Sequence, residues 1–188
     1  MKSFRIVLMM LFGLICPTAF AQTAYDYELD ESRPLITDVS QLSSPYSEPE
    51  LDEGYLEYLL DDDPETYWHS NWHSTAQPHV HYLQIELAEP VDELISMKFT
   101  RRWHNYRRTA LHYTDHVTVW SICGSDEPDA ENGDWVELLV TETPFHEPGE
   151  TLNTIGFDTK GKKYLRIYAD ATTDNRGYWH LAELQFYP

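Results

Sequence analysis

The chain is short of cysteine, of basic residues and of long apolar runs. Only two Cys occur in 188 residues, which excludes a disulfide-stapled scaffold and a cysteine-built zinc site. Lys and Arg number 13 against 32 Asp and Glu, a formal charge of -19. Such a surface repels phosphate backbones and anionic lipid headgroups, so nucleic acid and membrane surfaces are poor partners. Beyond the N-terminus no run is apolar enough to span a bilayer. What is present is a hydrophobic fraction of 41% and an aromatic fraction of 14%. That is enough to bury a core, in a length suited to one domain.

Residues 1–21 read as a secretory signal peptide. Lys2 and Arg5 give a positive start, and Ile6 to Cys16 is an apolar run too short to remain as a span. Ala19-Phe20-Ala21 is a small-x-small cleavage site before Gln22. Ile15 stands where a lipoprotein site at Cys16 would want a small residue. The segment carries two basic residues and no acidic one, so its removal takes the charge from -19 to -21. Cys123 then remains alone, inside an apolar alternation that predicts a buried structural thiol. The expected location is secreted, periplasmic or at the cell surface. Residues 22–34 predict a flexible acidic leader, and residues 35–188 the folded domain.

That domain reads as all-β. His81–Leu87 alternates, with Leu83, Ile85 and Leu87 on one face. Leu94–Thr100, Val117–Cys123, Trp135–Thr141, Leu152–Phe157, Tyr164–Ala169 and Leu184–Tyr187 follow, separated by Pro- and Gly-bearing turns. Short strands at this spacing predict a β-sandwich. The single helical piece predicted is Tyr55–Leu60, a turn or two.

Three clusters carry possible chemistry. Asp61-Asp62-Asp63-Pro64-Glu65-Thr66 is either a solvated acidic turn or an oxygen-rich site for a hard cation such as calcium. Its spacing is not that of an EF-hand. Trp68-His69-Ser70-Asn71-Trp72-His73, with His79 and His81, invites zinc, yet its aromatics and Pro78 disfavour the helix that would align His69 with His73. Core-edge packing is the competing reading. Thr100 to Arg108 gathers Arg101, Arg102, Arg107 and Arg108 around Trp103, His104, Asn105 and Tyr106. It is either a solvated loop balancing the charge or a recognition loop. Arg forks grip hydroxyl pairs and carboxylates, and aromatic rings such as Trp103 cover the apolar faces of sugars.

In order and spacing, these segments resemble the discoidin, or coagulation factor five/eight type C, domains. They resemble above all the bacterial carbohydrate-binding modules of family 32. The likeness rests on Leu59 to Trp72, Pro78-His79, Leu83 to Leu87, Phe99 to Arg102, Tyr164 to Ile167 and His180 to Leu184. It runs from about Leu35 to Pro188. The resemblance implies a jelly-roll, galactose-binding-domain-like β-sandwich. It also implies a structural calcium held by Asp61, the carbonyl of Asp63, Thr66, the carbonyl of Ala182, and Glu183. It implies a galactose-type glycan site built from His69, Trp72, Arg102 and an acidic residue, Asp52 or its neighbour Glu53.

The chain departs from the family in three places. Asp62 stands where Gly is usual, an extra stretch Trp103–Tyr113 enlarges the loop, and Arg107-Arg108-Thr109 replace an expected acidic residue. The implied function is a secreted, non-catalytic glycan-binding module, acting alone or beside a glycoside hydrolase or surface protein. A protein-interaction or adhesion domain of the same fold is the alternative. A hydrolase would need two carboxylates in a cleft, and Asp115 and Glu142 have no motif around them.

Overall fold

The computed structural model describes residues 29–49, 53–73, 80–103, 116–129, 134–172 and 177–188. The expected signal peptide, residues 22–28 of the leader, Asp52, His79 and the loop 104–115 lie outside the described residues.

Among the described residues the strands are β1 (Leu42–Ser43), β2 (Trp68–His69), β3 (Tyr82–Glu86), β4 (Leu94–Thr100) and β5 (Val117–Ser125). They continue as β6 (Val136–Glu142), β7 (Thr151–Asn153), β8 (Phe157–Asp158), β9 (Tyr164–Thr172), β10 (His180–Leu181) and β11 (Glu183–Tyr187). One sheet has the order β1-β3-β9-β5-β6, and the other β11-β4-β7, with β8 also on β4. All pairings are antiparallel. The two sheets form the expected jelly-roll β-sandwich.

The alternation in the sequence sets which face turns inward. Leu83 and Ile85 of β3, Ile122 of β5 and Ile167 of β9 are buried from one sheet. Ile95, Met97 and Phe99 of β4 and Leu184 and Phe186 of β11 meet them from the other. Phe99 crosses the sandwich to Trp120, edge to face at 5.4 Å. Trp179 packs edge-on against both Trp68 at 4.8 Å and Trp120 at 5.2 Å. Edge-to-face rings add about 0.5–1.5 kcal/mol per pair beyond their burial, so this indole cluster stiffens the end of the sandwich beneath β2.

Three predicted details changed. Leu152–Phe157, expected as one strand, is split into β7 and β8. Thr154 bends the chain between them: its N–H donates to Met97 O at 2.8 Å and its Oγ1 accepts from Met97 N at 3.0 Å. The helical piece is a 3-10 turn, Leu56–Leu59, closed by Leu60 N–H on Glu57 O. Cys123 is half-buried rather than buried, its thiol pushed up mainly by burial and then by Glu137 and Asp170. The end of the leader touches the domain. Asp30 N–H donates to Pro188 O at 2.9 Å, Glu31 pairs with Lys98 at 2.8 Å, and Arg33 pairs with Glu93 at 2.6 Å. No helix among the described residues is long and apolar enough to cross a membrane.

Candidate functional site

The short ribbon β2–β10 sets His69 opposite His180 and Trp68 opposite Leu181. Trp68 faces the core, its Nε1–H donating to Ser47 Oγ at 2.8 Å. His69, on the other face of the ribbon, is only 4% exposed. Its Nδ1 lies 3.2 Å from Ser70 O. A carbonyl only accepts, so Nδ1 carries the proton and Nε2 of the neutral ring offers a lone pair. That Nε2 is buried with no hydrogen-bond partner and lies 3.9 Å from Glu53 Oε1. A buried polar atom without a partner costs roughly 1–3 kcal/mol.

Tyr67 joins the pieces. Its hydroxyl donates to Glu53 Oε2. Its ring centre lies 6.0 Å from that of His69 and 6.5 Å from that of His180, and the Arg102 guanidinium sits 4.3 Å over it. Arg102 is the second residue past β4, so the strand end delivers the guanidinium over Tyr67. The preceding Arg101 does something else. It is buried, and its guanidinium donates to His146 O. The Arg pair thus divides, one member buried on His146 and the other half-buried over Tyr67.

Trp72 is 43% exposed, its ring 3.7 Å from that of His73, whose Nδ1 lies 2.9 Å from Glu48 Oε1. This arm reaches the His69 arm at Gly54. A Cβ there would lie 2.6 Å from Glu48 O and 2.9 Å from His69 Nε2. Trp103, 50% exposed, lies over Gly149 at the border of the acidic turn, its N–H donating to Pro64 O at 3.0 Å. Of the expected sugar residues, the structure therefore links His69 and Arg102 through Tyr67 and Glu53, while Trp72 stands on the neighbouring His73–Glu48 arm. Trp103 stands at the acidic turn. Sequence reasoning missed Tyr67 and Gly54. The signal for Tyr67 was an aromatic inside the Trp-His motif; for Gly54 it was a lone Gly inside an acidic run.

The acidic turn is rich in oxygens and poor in protons. The Thr66 hydroxyl has one proton, yet Asp61 Oδ1 (3.1 Å), Asp61 Oδ2 (2.8 Å) and Asp63 O (2.9 Å) all crowd its oxygen. Glu183 Oε1 is buried with no hydrogen-bond partner. Burial pushes the Glu183 carboxyl up to about 8, and the charges of Asp61 and Asp62 add to the rise. Ala182 N–H is tied to Thr100 O at 3.0 Å, which holds the start of β11 against β4 beside the turn. This donor set fits a hard cation: two carboxylates, a hydroxyl and carbonyls. Asp62 takes φ +60°, the left-handed conformation that Gly adopts freely and Asp tolerates at a cost. Asp62 thus takes at this position a conformation that Gly would take without that cost. Asp62→Gly should raise the melting temperature slightly, by relief of up to ~1 kcal/mol; an unchanged or lower value in calcium-free buffer would refute that.

Zinc finds less support. His69 is on a strand and His73 in a turn, so the two do not share a helix face. Among the described residues no group of three or more His, Cys, Asp or Glu is placed to hold a metal ion; the acidic turn relies on oxygens of other kinds. A groove of about 620 Å³ lies along β4 and β11, lined by residues including Asp62, Lys98, Thr100, Glu183 and Tyr187. It includes none of His69, Trp72 or Arg102.

Solved structures share this architecture. The CBM32-5 module of CpGH89 from Clostridium perfringens, in complex with GalNAc-β-1,3-galactose, aligns with a TM-score of 0.59 at 14% identity, over 83% of this chain and 100% of that one. CBM32-3 from a family 31 glycoside hydrolase of the same organism aligns at 0.57 and 29% identity, over 86% and 99%. The family 32 module of NanJ, in complex with galactose, aligns at 0.55 and 18%, over 80% and 96%. The fold is that of the discoidin-like family 32 carbohydrate-binding modules. No family model and no curated protein matches the sequence. In this discoidin-like domain, the β2–β10 ribbon and the acidic turn lie where the strand ends meet their loops.

Proposed function

We propose that the chain is a secreted, non-catalytic glycan-binding module that recognises galactose-type or related sugars through His69, Trp72, Arg102 and Glu53. Asp52, the other acidic candidate, lies outside the described residues, and Trp103 stands at the acidic turn, where a calcium ion would brace the site. The observation that carries this reading is the buried, unpartnered Nε2 of His69, held 3.9 Å from a carboxylate and linked through Tyr67 to a guanidinium. A sugar supplies what His69 lacks, a hydroxyl that donates to Nε2, and further hydroxyls can meet the Glu53 carboxylate and the Arg102 guanidinium. The half-exposed indole of Trp72 offers an apolar face for the ring. Such a site is shallow, so a single copy would bind weakly. Calcium would be held by Asp61, Asp63 O, Thr66, Ala182 O and Glu183. It would neutralise the two carboxylates and fix the turn. A secreted glycoside hydrolase or a surface protein is the expected working partner.

The test is binding to a glycan panel by the purified protein and three variants. His69→Ala, Trp72→Ala and Arg102→Ala should each weaken binding of a galactose-terminated ligand roughly ten-fold or more, with melting temperatures near that of the parent. Binding to no glycan, with capture of a protein partner, would replace this reading by the adhesion alternative. Turnover of an aryl glycoside would overturn the non-catalytic assignment.

A further inference from the structure

Tyr67 touches three polar groups of the proposed sugar site: Glu53, His69 and Arg102. Its hydroxyl donates to Glu53 Oε2. Its backbone carbonyl accepts from Gly54 N–H at 3.0 Å, so the same two segments are clamped by main chain and side chain together. Its ring supports the Arg102 guanidinium at 4.3 Å. Glu53 is 41% exposed at its side chain and, left alone, would sample many rotamers. The Tyr67 proton selects one. In that rotamer Oε1 is left facing His69 Nε2 at 3.9 Å. Both atoms accept: Nε2 because Nδ1 holds the ring proton against Ser70 O, and Oε1 because it is a carboxylate oxygen.

We propose that Tyr67 is a positioning residue that sets the specificity of this site. By locking the Glu53 carboxylate beside His69 Nε2 it makes an all-acceptor corner, and the ligand group that docks there must be a hydroxyl that donates its proton. An ether oxygen or a fluorine at that position offers only lone pairs and is repelled; a deoxy position leaves both acceptors dry. This inference rests on the glycan-binding reading above and adds which kind of hydroxyl the site reads. A site built around unpaired polar groups rejects a ligand lacking the matching donor far more strongly than an apolar pocket rejects a missing methylene.

Two measurements test it. The first is binding to galactose and to GalNAc-β-1,3-galactose, with deoxy and fluoro derivatives at each ring hydroxyl of galactose. One position should lose binding on deoxy substitution and at least as much on fluoro substitution. Tyr67→Phe keeps the ring under Arg102 and removes only the hydroxyl that donates to Glu53. It should weaken binding about ten-fold and shrink that discrimination, whereas Tyr67→Ala should weaken it further. Fluoro derivatives bound as well as hydroxyls at every position, or parental affinity in Tyr67→Phe, would overturn the proposal. The second needs no sugar: a thermal-unfolding double-mutant cycle of Tyr67→Phe with Glu53→Gln. Non-additive effects are expected, and additivity would overturn the lock. If neither sugar binds the parent protein, the glycan reading fails, while a non-additive cycle would still support the lock.

Discussion

Removing calcium with a chelator is expected to lower the melting temperature by roughly 5–10 °C. Binding at a hundred times the dissociation constant is worth about 2.7 kcal/mol, and each kcal/mol moves a domain of this size by about 2–4 °C. The sign of the pH dependence follows from Glu183, whose carboxyl is raised to about 8 by burial and by Asp61 and Asp62. Without a cation, the fold favours the protonated acid. The calcium-free protein therefore keeps the full contribution below the ordinary value of 4.5 and loses it as pH rises through about 8. A cation reverses this, because the ligand must be ionised. Calcium binding at pH 7 should release a proton, and its affinity should rise with pH up to about 8 and then level off. Calorimetry in buffers of different ionisation enthalpy measures that proton directly. Glu183→Gln separates the two effects. It should abolish most of the calcium shift while making the calcium-free protein more stable than the parent at pH 9. No chelator effect in the parent, or an unchanged calcium shift in the variant, would rule out the site.

Gly54→Ala should be the most damaging single methyl group near the ribbon. Gly54 has φ +82°, and its new Cβ would lie 2.6 Å from the Glu48 carbonyl oxygen. Backbone cannot step aside as a flexible side chain can. The left-handed conformation and the collision together should cost about 2–4 kcal/mol, seen as a fall of about 5–15 °C in melting temperature. The same Cβ lies 2.9 Å from His69 Nε2, so the imidazole must also shift. Affinity for galactose-terminated ligands should therefore fall even at temperatures where the variant remains folded. As a contrast, Gly161→Ala also has a positive φ, +70°, but its Cβ would meet nothing within 4 Å. It should cost less and leave binding intact. Equal losses at the two positions would show that conformation alone, not the crowding at His69, governs the effect.

The sandwich was legible because its strands are long enough to alternate. Tyr82–Glu86 alternates over five residues, and in Leu94–Thr100 the buried apolar Ile95, Met97 and Phe99 stand at every second position, the pattern that a sheet with one core-facing side imposes. β1, β2 and β10 have two residues each. Two residues carry no period, so the ribbon that bears His69 was invisible as a strand. The single run predicted over 152–157 failed for a related reason: apolar content does not show that Thr154 turns its N–H and hydroxyl to Met97 and breaks the strand.

The scarcity of basic residues and cysteine, a β-rich alternation and an acidic turn next to a Trp-His motif were determined by the sequence by itself. It also offered His69, Trp72, Arg102 and Glu183 as candidates. Only the tertiary structure decided how they are used. Arg101 and Arg102 are neighbours of equal charge, yet one is buried on His146 and the other lies over Tyr67, because successive residues leaving a strand point to opposite sides. Glu183 lies far along the chain from Asp61. Pairing of β11 with β4 brings it to the turn, and burial there gives a carboxyl a behaviour that its own sequence neighbours do not. Tyr67 is one more aromatic in a chain rich in them. Its hydroxyl became informative only when the fold set it against Glu53, because a hydrogen bond depends on distance and direction, and neither is written in residue order.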